Sequence, residues 1–353
     1  MNKVLKHWRN FQDEIGEPPY NYYFLQNLSE SEYPKYLSKL YKMKTGERLN
    51  LKHPKTFNEK IQWIKLYGIT SLMRECTDKV KVRDYVKERI GEEYLKPVLQ
   101  IIPNESKETM RCHCEQVNNN LGLARQSGDI SNDIPDCHGT QNVVAPRNDR
   151  EPNDVSTYFD KIDFDKLPSS FVIKTNHGCK WQYIIKNKEE YKKNKRLFEE
   201  TKKQMTGWLE QEYWIWGGFE LQYRNIEPKI IIEPLLNGAV DFELYYFNSN
   251  LKILRKIYNN GTDKISVYDE KFNNINLKFM PKDILVNEPI DEMLIKAISL
   301  SFELAKDFKF IRIDWLNYEN RLYFNEMTFT PFSGFCRFDK NWNKILGGFL
   351  NGF

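Results

Sequence analysis

Residues 310 to 334, FIRIDWLNYENRLYFNEMTFTPFSG, restrict the fold more than any other stretch of this chain. They read as two strands joined by the polar turn Asn317-Tyr318-Glu319-Asn320, which is rich in turn-forming residues. Side chains on a strand alternate faces, so Arg312 and Asp314 share one face while Ile311, Ile313 and Trp315 point the other way. On the second strand the same alternation groups Leu322, Phe324, Glu326 and Thr328. One antiparallel register places Asp314 opposite Glu326 and Arg312 opposite Thr328, and a one-residue slip separates them. Two carboxylates, a hydroxyl and a guanidinium on one patch suit magnesium plus phosphate. Mg²⁺ takes a few hard oxygens from protein and the rest from water and phosphate, and Arg clamps phosphate oxygens through a fork of donors. The competing reading is a solvated hairpin face with a surface ion pair. Spacing alone does not separate the two.

A chain of 353 residues suits two or three lobes better than one core. Lys and Arg number 53 against 49 Asp and Glu, a net charge of +4, too mild to argue for nucleic acid. No basic run alternates with aromatics as single-strand binders require. The opening MNKVLKHWRNFQDEIGEPPY lacks the apolar core of a signal peptide, and no stretch approaches the ~18 apolar residues of a membrane span. Six scattered cysteines fit a reducing compartment better than a disulfide framework. The expectation is a cytoplasmic protein with no membrane span and no nucleic-acid partner.

From Tyr33 the pattern is helical, with Tyr36, Leu37, Leu40 and Tyr41 on one side and a stop at Gly46. Thr56 followed by Glu59 reads as a capping box leading into the amphipathic IQWIKLYG. Residues 77 to 91 form another charged helix, and Lys79 lies in its first turn, where it can lean toward a neighbouring cleft. Residues 101 to 157 break the pattern. They hold few aromatics, no sustained period and many Asn, Asp, Ser and Gly, a composition that buries too little surface to offset ordering. Cys112-His113-Cys114 and Cys137-His138 invite a zinc reading, yet contiguous ligands cannot converge as ligands two to four residues apart do. The segment also resembles the in-frame translation of a bacterial palindromic DNA element, in RCHCE, DCHG and APRND. That resemblance makes it an exposed inserted loop whose cysteines carry no chemistry.

Beyond it, Phe171-Val172-Ile173-Lys174 reads as a strand, 175 to 180 as a polar Gly-containing loop, and Trp181 to Ile185 as the returning strand. Such a flap can lay backbone N–H groups and Lys174 over phosphates. It lacks the GxxxxGK[ST] of a Walker A loop. An ordinary hairpin with a lone His177 is the alternative. A long helix is expected to run to Gly217-Gly218, followed by a buried strand closing in Glu233 and a hairpin turning at Asn248-Ser249-Asn250. Residues 287 to 307 give the clearest helical stripe.

Lysine on a strand before a Gly loop, Glu closing an apolar strand, and an Asp…Glu hairpin follow one another in an order similar to the ATP-grasp fold. The motifs LNLKHPKTFNEKIQWIKLY, TDKVKVRDYV, FDKIDFDKLPSSFVIKTNHG and NEMTFTPFSGF resemble those of ligases of teichuronopeptide and other cell-surface polysaccharide synthesis. The resemblance implies an α+β fold in which nucleotide is held between two α+β lobes. It divides the chain into a helical N-terminal region at 1–100, an inserted loop at 101–157, a lid lobe at 158–235 and a metal-binding lobe at 236–353. It implies ATP and Mg²⁺ as cofactors. Lys79 and Lys174 would hold the α- and β-phosphates under a flap containing His177 and Gly178. Glu233, Leu235 and Leu236 would receive adenine, and Asp241 the ribose. Asp314 and Glu326 would be magnesium ligands, and Arg312, with Lys174, would act on the transferring phosphoryl group. Lys256 or Arg255 would add a phosphate contact. Thr328 stands where many relatives carry a metal-binding Asn, which leaves a second metal open, and Cys179-Lys180 replace the small residues usual in the flap. Acceptor contacts come from variable loops, with Trp214, Trp216 and Arg337 as candidates.

The implied reaction is ATP-dependent ligation of a carboxylate to an amine through an acyl phosphate, joining an amino acid to a uronic acid of a surface polysaccharide or its precursor. Electrostatic stabilisation of the phosphoryl group suffices, and no side-chain nucleophile is required. Two other readings use the same nucleotide site: a sugar or polysaccharide kinase, and a non-catalytic scaffold that docks glycosyltransferases. Removing residues 105 to 150 is expected to leave folding and turnover largely intact. A lost thermal unfolding transition in that deletion variant would overturn the insertion reading.

Overall fold

The computed structural model describes residues 22–103, 156–259, 263–281, 283–338 and 340–352. The two cysteine clusters and most of the expected insertion lie outside the described residues. The first three residues of that expected loop, 101 to 103, belong to a strand.

Two sheets organise the chain. The first contains β1 (Gln100–Pro103), β2 (Phe171–Thr175), β3 (Gln182–Ile185) and β4 (Lys229–Pro234), all antiparallel in the order β1-β4-β2-β3. The second contains β5 (Val240–Phe247), β6 (Asn250–Asn259), β7 (Asp263–Asp269), β8 (Ile284–Leu285), β9 (Phe310–Tyr318) and β10 (Arg321–Thr328). Its order is β10-β9-β5-β6-β7-β8, with only β7 and β8 parallel. Seven helices matter below: α1 (Tyr33–Thr45), α2 (Phe57–Trp63), α3 (Ser71–Thr77), α4 (Val82–Ile90), α5 (Lys195–Glu210), α6 (Glu292–Ala305) and α7 (Lys340–Phe349). The architecture is α+β.

Each sheet has its own apolar core. Phe171, Ile173, Ile230 and Ile232 from the small sheet pack with Met205 and Trp208 of α5 and with Leu37 and Leu40 of α1. Phe242, Leu244, Ile311, Ile313 and Trp315 from the large sheet pack with Leu294, Ala297 and Leu304 of α6 and with Phe57 and Ile61 of α2. The helices before β1 therefore build no separate core; α1 serves one lobe, while α2, α3 and α4 serve the other. Helix α6 begins later than its apolar stripe suggests, because Asp291 caps it by accepting from the Leu294 N–H at 2.9 Å. The single long helix expected before Gly217 is broken instead. Asn194 caps α5 at its start, and Gln211 leaves the helical region at its end.

The hairpin of β9 and β10 departs from simple alternation. Glu319 and Asn320 both have positive φ (52° and 56°), the two-residue turn that matches strand twist. That turn pairs Tyr318 with Arg321 and Phe324 with Trp315, a register one residue short of the expected one. A bulge at Asn325 then inserts the missing residue, so that Glu326 meets Asp314 and Thr328 meets Arg312. Leu322 and Phe324 consequently face the core, on the side opposite Glu326 and Thr328.

Helix α2 carries its polar residues inward. The Thr56 hydroxyl and the Glu59 carboxylate form the expected capping box. The Asn58 amide donates to the Cys336 carbonyl at 2.8 Å, and Lys60 donates to the Gly347 carbonyl of α7 at 2.8 Å. Gln62 reaches the carbonyls of Ser333 at 3.0 Å and Gly334 at 2.8 Å. Asn58→Ala removes the buried donor of Cys336, at an expected cost of about 1–3 kcal/mol. Urea unfolding of the variant, read as a lower midpoint at unchanged slope, checks it.

Candidate functional site

The lobes meet along a cleft whose floor is the open face of the large sheet. Strand alternation and pairing bring Glu243 of β5 beside Asp314 of β9 and Arg255 of β6, and Glu326 of β10 beside Asp314. Arg312 sits among them. Its Nε and Nη2 donate to the two oxygens of Asp314 at 2.7 and 2.5 Å, and Nη2 donates to Glu326 Oε1 at 3.0 Å. Its Nη1 lies 3.9 Å from Glu243 Oε1. Thr328 donates its hydroxyl to Glu326 Oε1 at 3.0 Å. Arg255 donates to Glu243 from beneath the Phe279 ring.

Burial sets the protonation of this row. It pushes the Asp314 carboxyl well above its ordinary value; the Arg312 fork opposes the shift, and Glu243 and Glu326 add to it. Burial would raise Glu326 as well, but Arg312, Lys79 and the Thr328 hydroxyl outweigh it and hold that carboxyl below its usual range. For Glu243 too, burial is overcome by Arg255 and Arg312. Glu326 keeps 29% of its side chain exposed, toward the cleft.

Three lysines converge on the other side. Lys174 of β2 and Lys96 donate to the same oxygen of Glu233 on β4, at 2.7 and 2.9 Å. Lys96 also donates to Asn325, the bulged residue, at 2.9 Å, so one ammonium ties both sheets together. Lys79 donates to the Gly178 carbonyl at 2.5 Å, and burial lowers its pKa while Glu326 pulls it back up and Lys174 lowers it further. The segment before it is fixed by Asn176, whose amide donates to Asp78 at 3.0 Å. A Cβ at Gly178 would stand 2.5 Å from the Trp181 ring, so only glycine fits there without moving that indole. Leu235 and Leu236 are half-buried in the link from β4 to β5, and Asp241 shares the site face of β5 with Glu243.

Two expected residues lie elsewhere. His177 is buried beside the core of the small-sheet lobe, its ring between the Trp208 carbonyl (Nε2, 3.1 Å) and Trp181, and does not face the cleft. Lys256 pairs with Phe242 on the helix-covered side of the large sheet and donates to Asp291 at 2.6 Å. Alternation selects its neighbour Arg255 for the site face. Among the acceptor candidates, Trp216 lines the cleft, Trp214 packs under Arg224, and exposed Arg337 stands outside the lining. Glu243 and Lys96 escaped sequence reasoning. Glu243 had a signal, two residues after Asp241 on one strand; Lys96, in the irregular EEYLKP, had none.

Two α+β lobes closing on a cleft with lysines on one wall and a carboxylate row on the other define an ATP-grasp architecture. The family profile described as TupA-like ATPgrasp matches residues 147–351, more than half of the chain, and the chain belongs to that family. Among solved structures it is similar to D-alanine–D-alanine ligase from Helicobacter pylori, at 12% identity and TM-score 0.36, covering 83% of this chain and 69% of that one. It is similar to D-alanyl-alanine synthetase A from Vibrio cholerae at 10% identity and TM-score 0.36, covering 84% and 69%. For N5-carboxyaminoimidazole synthetase from Staphylococcus aureus the values are 11% and 0.32, covering 72% of this chain and 44% of that one. Among curated proteins no sequence matches. No helix among the described residues is long and apolar enough to cross a membrane.

The donor set fits the magnesium and nucleotide that such a fold implies. Among the described residues no cluster of three His, Cys, Asp or Glu could close around a metal. Glu326 and Asp314 would hold such an ion through hard oxygens, with phosphate and water as its further ligands. On the opposite wall, Glu233 is held at about 2, because Lys174 and Lys96 outweigh the burial that would raise it. Its contribution to stability is complete above about 4.5, its ordinary value, and is lost as pH falls through about 2. Glu233→Gln is expected to remove that part of the acid limb, seen as a flatter unfolding free energy against pH between about 4.5 and about 2.

Proposed function

We propose that the chain is an ADP-forming carboxylate–amine ligase that works through an acyl phosphate. The observation that carries this reading is the convergence of Lys79, Lys96 and Lys174 on the cleft that holds Arg312, Asp314 and Glu326. Three ammoniums facing a carboxylate row suit a triphosphate chelated to a divalent ion. Bound magnesium supplies charge neutralisation on the phosphate oxygens. Lys174 and Lys79 hold the polyphosphate, and Gly178 presents backbone close to it. Leu235, Leu236 and Asp241, along the link between the sheets, receive the nucleoside. Arg312 stabilises charge spreading over the transferring phosphoryl group from its place between Asp314 and Glu326. The carboxylate oxygen attacks the terminal phosphorus and ADP leaves. The nitrogen of the neutral amine then attacks the acyl carbon, the C–O bond to phosphate breaks, and the one proton the nitrogen sheds ends on phosphate. The lid excludes the water that would hydrolyse the mixed anhydride. A uronic acid of a surface polysaccharide and an amino acid are the substrates that the family resemblance supports.

Under this reading ADP and phosphate appear only when carboxylate and amine are both present. A screen of amino acids against uronic acids, with products read by mass spectrometry, tests it; AMP release, or phosphate retained on the sugar, would overturn it. Asp314→Asn and Glu326→Gln are expected to abolish turnover with the fold intact by circular dichroism. Lys174→Ala is expected to weaken nucleotide binding by about 1.5–3 kcal/mol, the scale of a charged hydrogen bond, measured by calorimetric titration.

A further inference from the structure

Beside the carboxylate row the cleft opens into a cavity of about 310 Å³, with Trp181, Tyr213, Trp216 and Tyr223 on one side and Glu220 and Glu326 among the other lining groups. The rings brace one another edge to face. Tyr213 and Tyr223 lie 4.6 Å apart between centroids, Trp181 and Tyr213 5.1 Å, and Trp181 and Trp216 6.1 Å. Burial pushes both tyrosine phenols well above their ordinary range, so these walls stay neutral.

Glu220 is the anomaly. It is 5% exposed, lines the cavity, and among the described residues forms no ion pair; the Thr330 hydroxyl donates to its Oε1. Its other oxygen lies against Gly217, where a Cβ would stand 1.7 Å from Oε2, so the carboxylate is fixed in place by a missing side chain. Lys65 is the cation that acts on it most strongly, yet Lys65 directs its donors elsewhere. Its ammonium bonds the Gly217 carbonyl at 3.2 Å, Gln62 at 2.9 Å, and the carbonyl and hydroxyl of Ser333 at 3.0 and 2.9 Å. Lys65 therefore holds the walls together and leaves the carboxylate without a contacting cation. Burial raises the Glu220 carboxyl above its ordinary value, and Lys65 opposes the shift.

A buried carboxylate without a contacting cation, beside four aromatic rings, is complementary to a small organic cation. The lining also carries Lys44, Lys180 and Arg312, but Lys180 is exposed, Lys44 is half-buried and Arg312 is paired with Asp314 and Glu326, so the buried charge set beside the rings is the Glu220 carboxylate. We propose that this cavity is the subsite for the amine substrate, bound as its ammonium ion with Glu220 as counter-ion. The proposal rests on the ligase reading for its role in turnover, but not for its binding test.

Calorimetric titration of the full chain with the methyl esters of the twenty amino acids, at about pH 7, where the ester ammonium and the Glu220 carboxylate are both populated, tests it. At least one ester is expected to bind saturably. Glu220→Gln is expected to weaken that binding by about tenfold or more, the scale of one charge-assisted contact. Glu220→Asp should retain part of it. Tyr223→Leu, which keeps the carboxylate and removes one ring, should weaken it several-fold and preserves the test if Glu220→Gln does not fold. Ester affinity unchanged in Glu220→Gln, or no ester binding to the wild-type chain, overturns the proposal. A parallel titration with magnesium and AMP-PNP separates the two readings: its failure counts against the nucleotide cleft, while the esters still decide the amine subsite.

Discussion

The cleft depends on one guanidinium. Arg312 lies within reach of Asp314, Glu326 and Glu243, three carboxylates that three different strands present to one face. Without it the row would be a buried patch of like charge, and burial would drive protons onto it. With it, Glu326 stays below its ordinary value and presents an ionised oxygen to the cleft. Buried ion pairs of this kind add little net stability, since desolvation offsets most of the Coulomb gain. What they fix is position: a planar fork bound to Asp314 at both oxygens tolerates little displacement.

The second constraint is the tie between lobes. Lys96 binds Glu233 in one sheet and Asn325 in the other, and Lys79 bonds the carbonyl of Gly178 in the loop between β2 and β3. These contacts join elements far apart in sequence through single ammonium groups, which a competing polyanion could draw away. The lobes are therefore held by interactions of the same chemistry as the ligand proposed to lie between them, while their apolar cores stay separate.

Helix α2 and the turn after it support the floor and the cavity together. Gln62 and Lys65 bind the 333–334 backbone, where Phe332 and Ser333 both hold positive φ, 51° and 53°. Non-glycine residues adopt that region at a cost, and here buried hydrogen bonds over-determine it. The α-helix passes into a π-helical turn at Ile64–Gly68, which carries Lys65.

Read alone, the sequence determined the elements whose signals are local. The hairpin of β2 and β3 and the capping box at Thr56 and Glu59 follow from periodicity, turn chemistry and alternation, and the α+β class from the family resemblance; alternation offered the pairing of Asp314 with Glu326 as one register, which the bulge then secured. The TupA-like ATP-grasp membership was legible as an ordered series of motifs. Only the tertiary structure decided matters that depend on which face a neighbour covers. Lys256 and Arg255 are adjacent, but α6 covers one face of the large sheet and leaves the other to the cleft, so one lysine pairs with a helix cap and one arginine with Glu243. His177 looked like a flap residue until α5 placed the Trp208 carbonyl beside it. The bulge at Asn325, Lys96 between the lobes, and Glu220 opposite its aromatic wall arise from contacts between distant segments. A local pattern carries no record of them, because burial and charge at those positions are set by what the rest of the chain packs alongside.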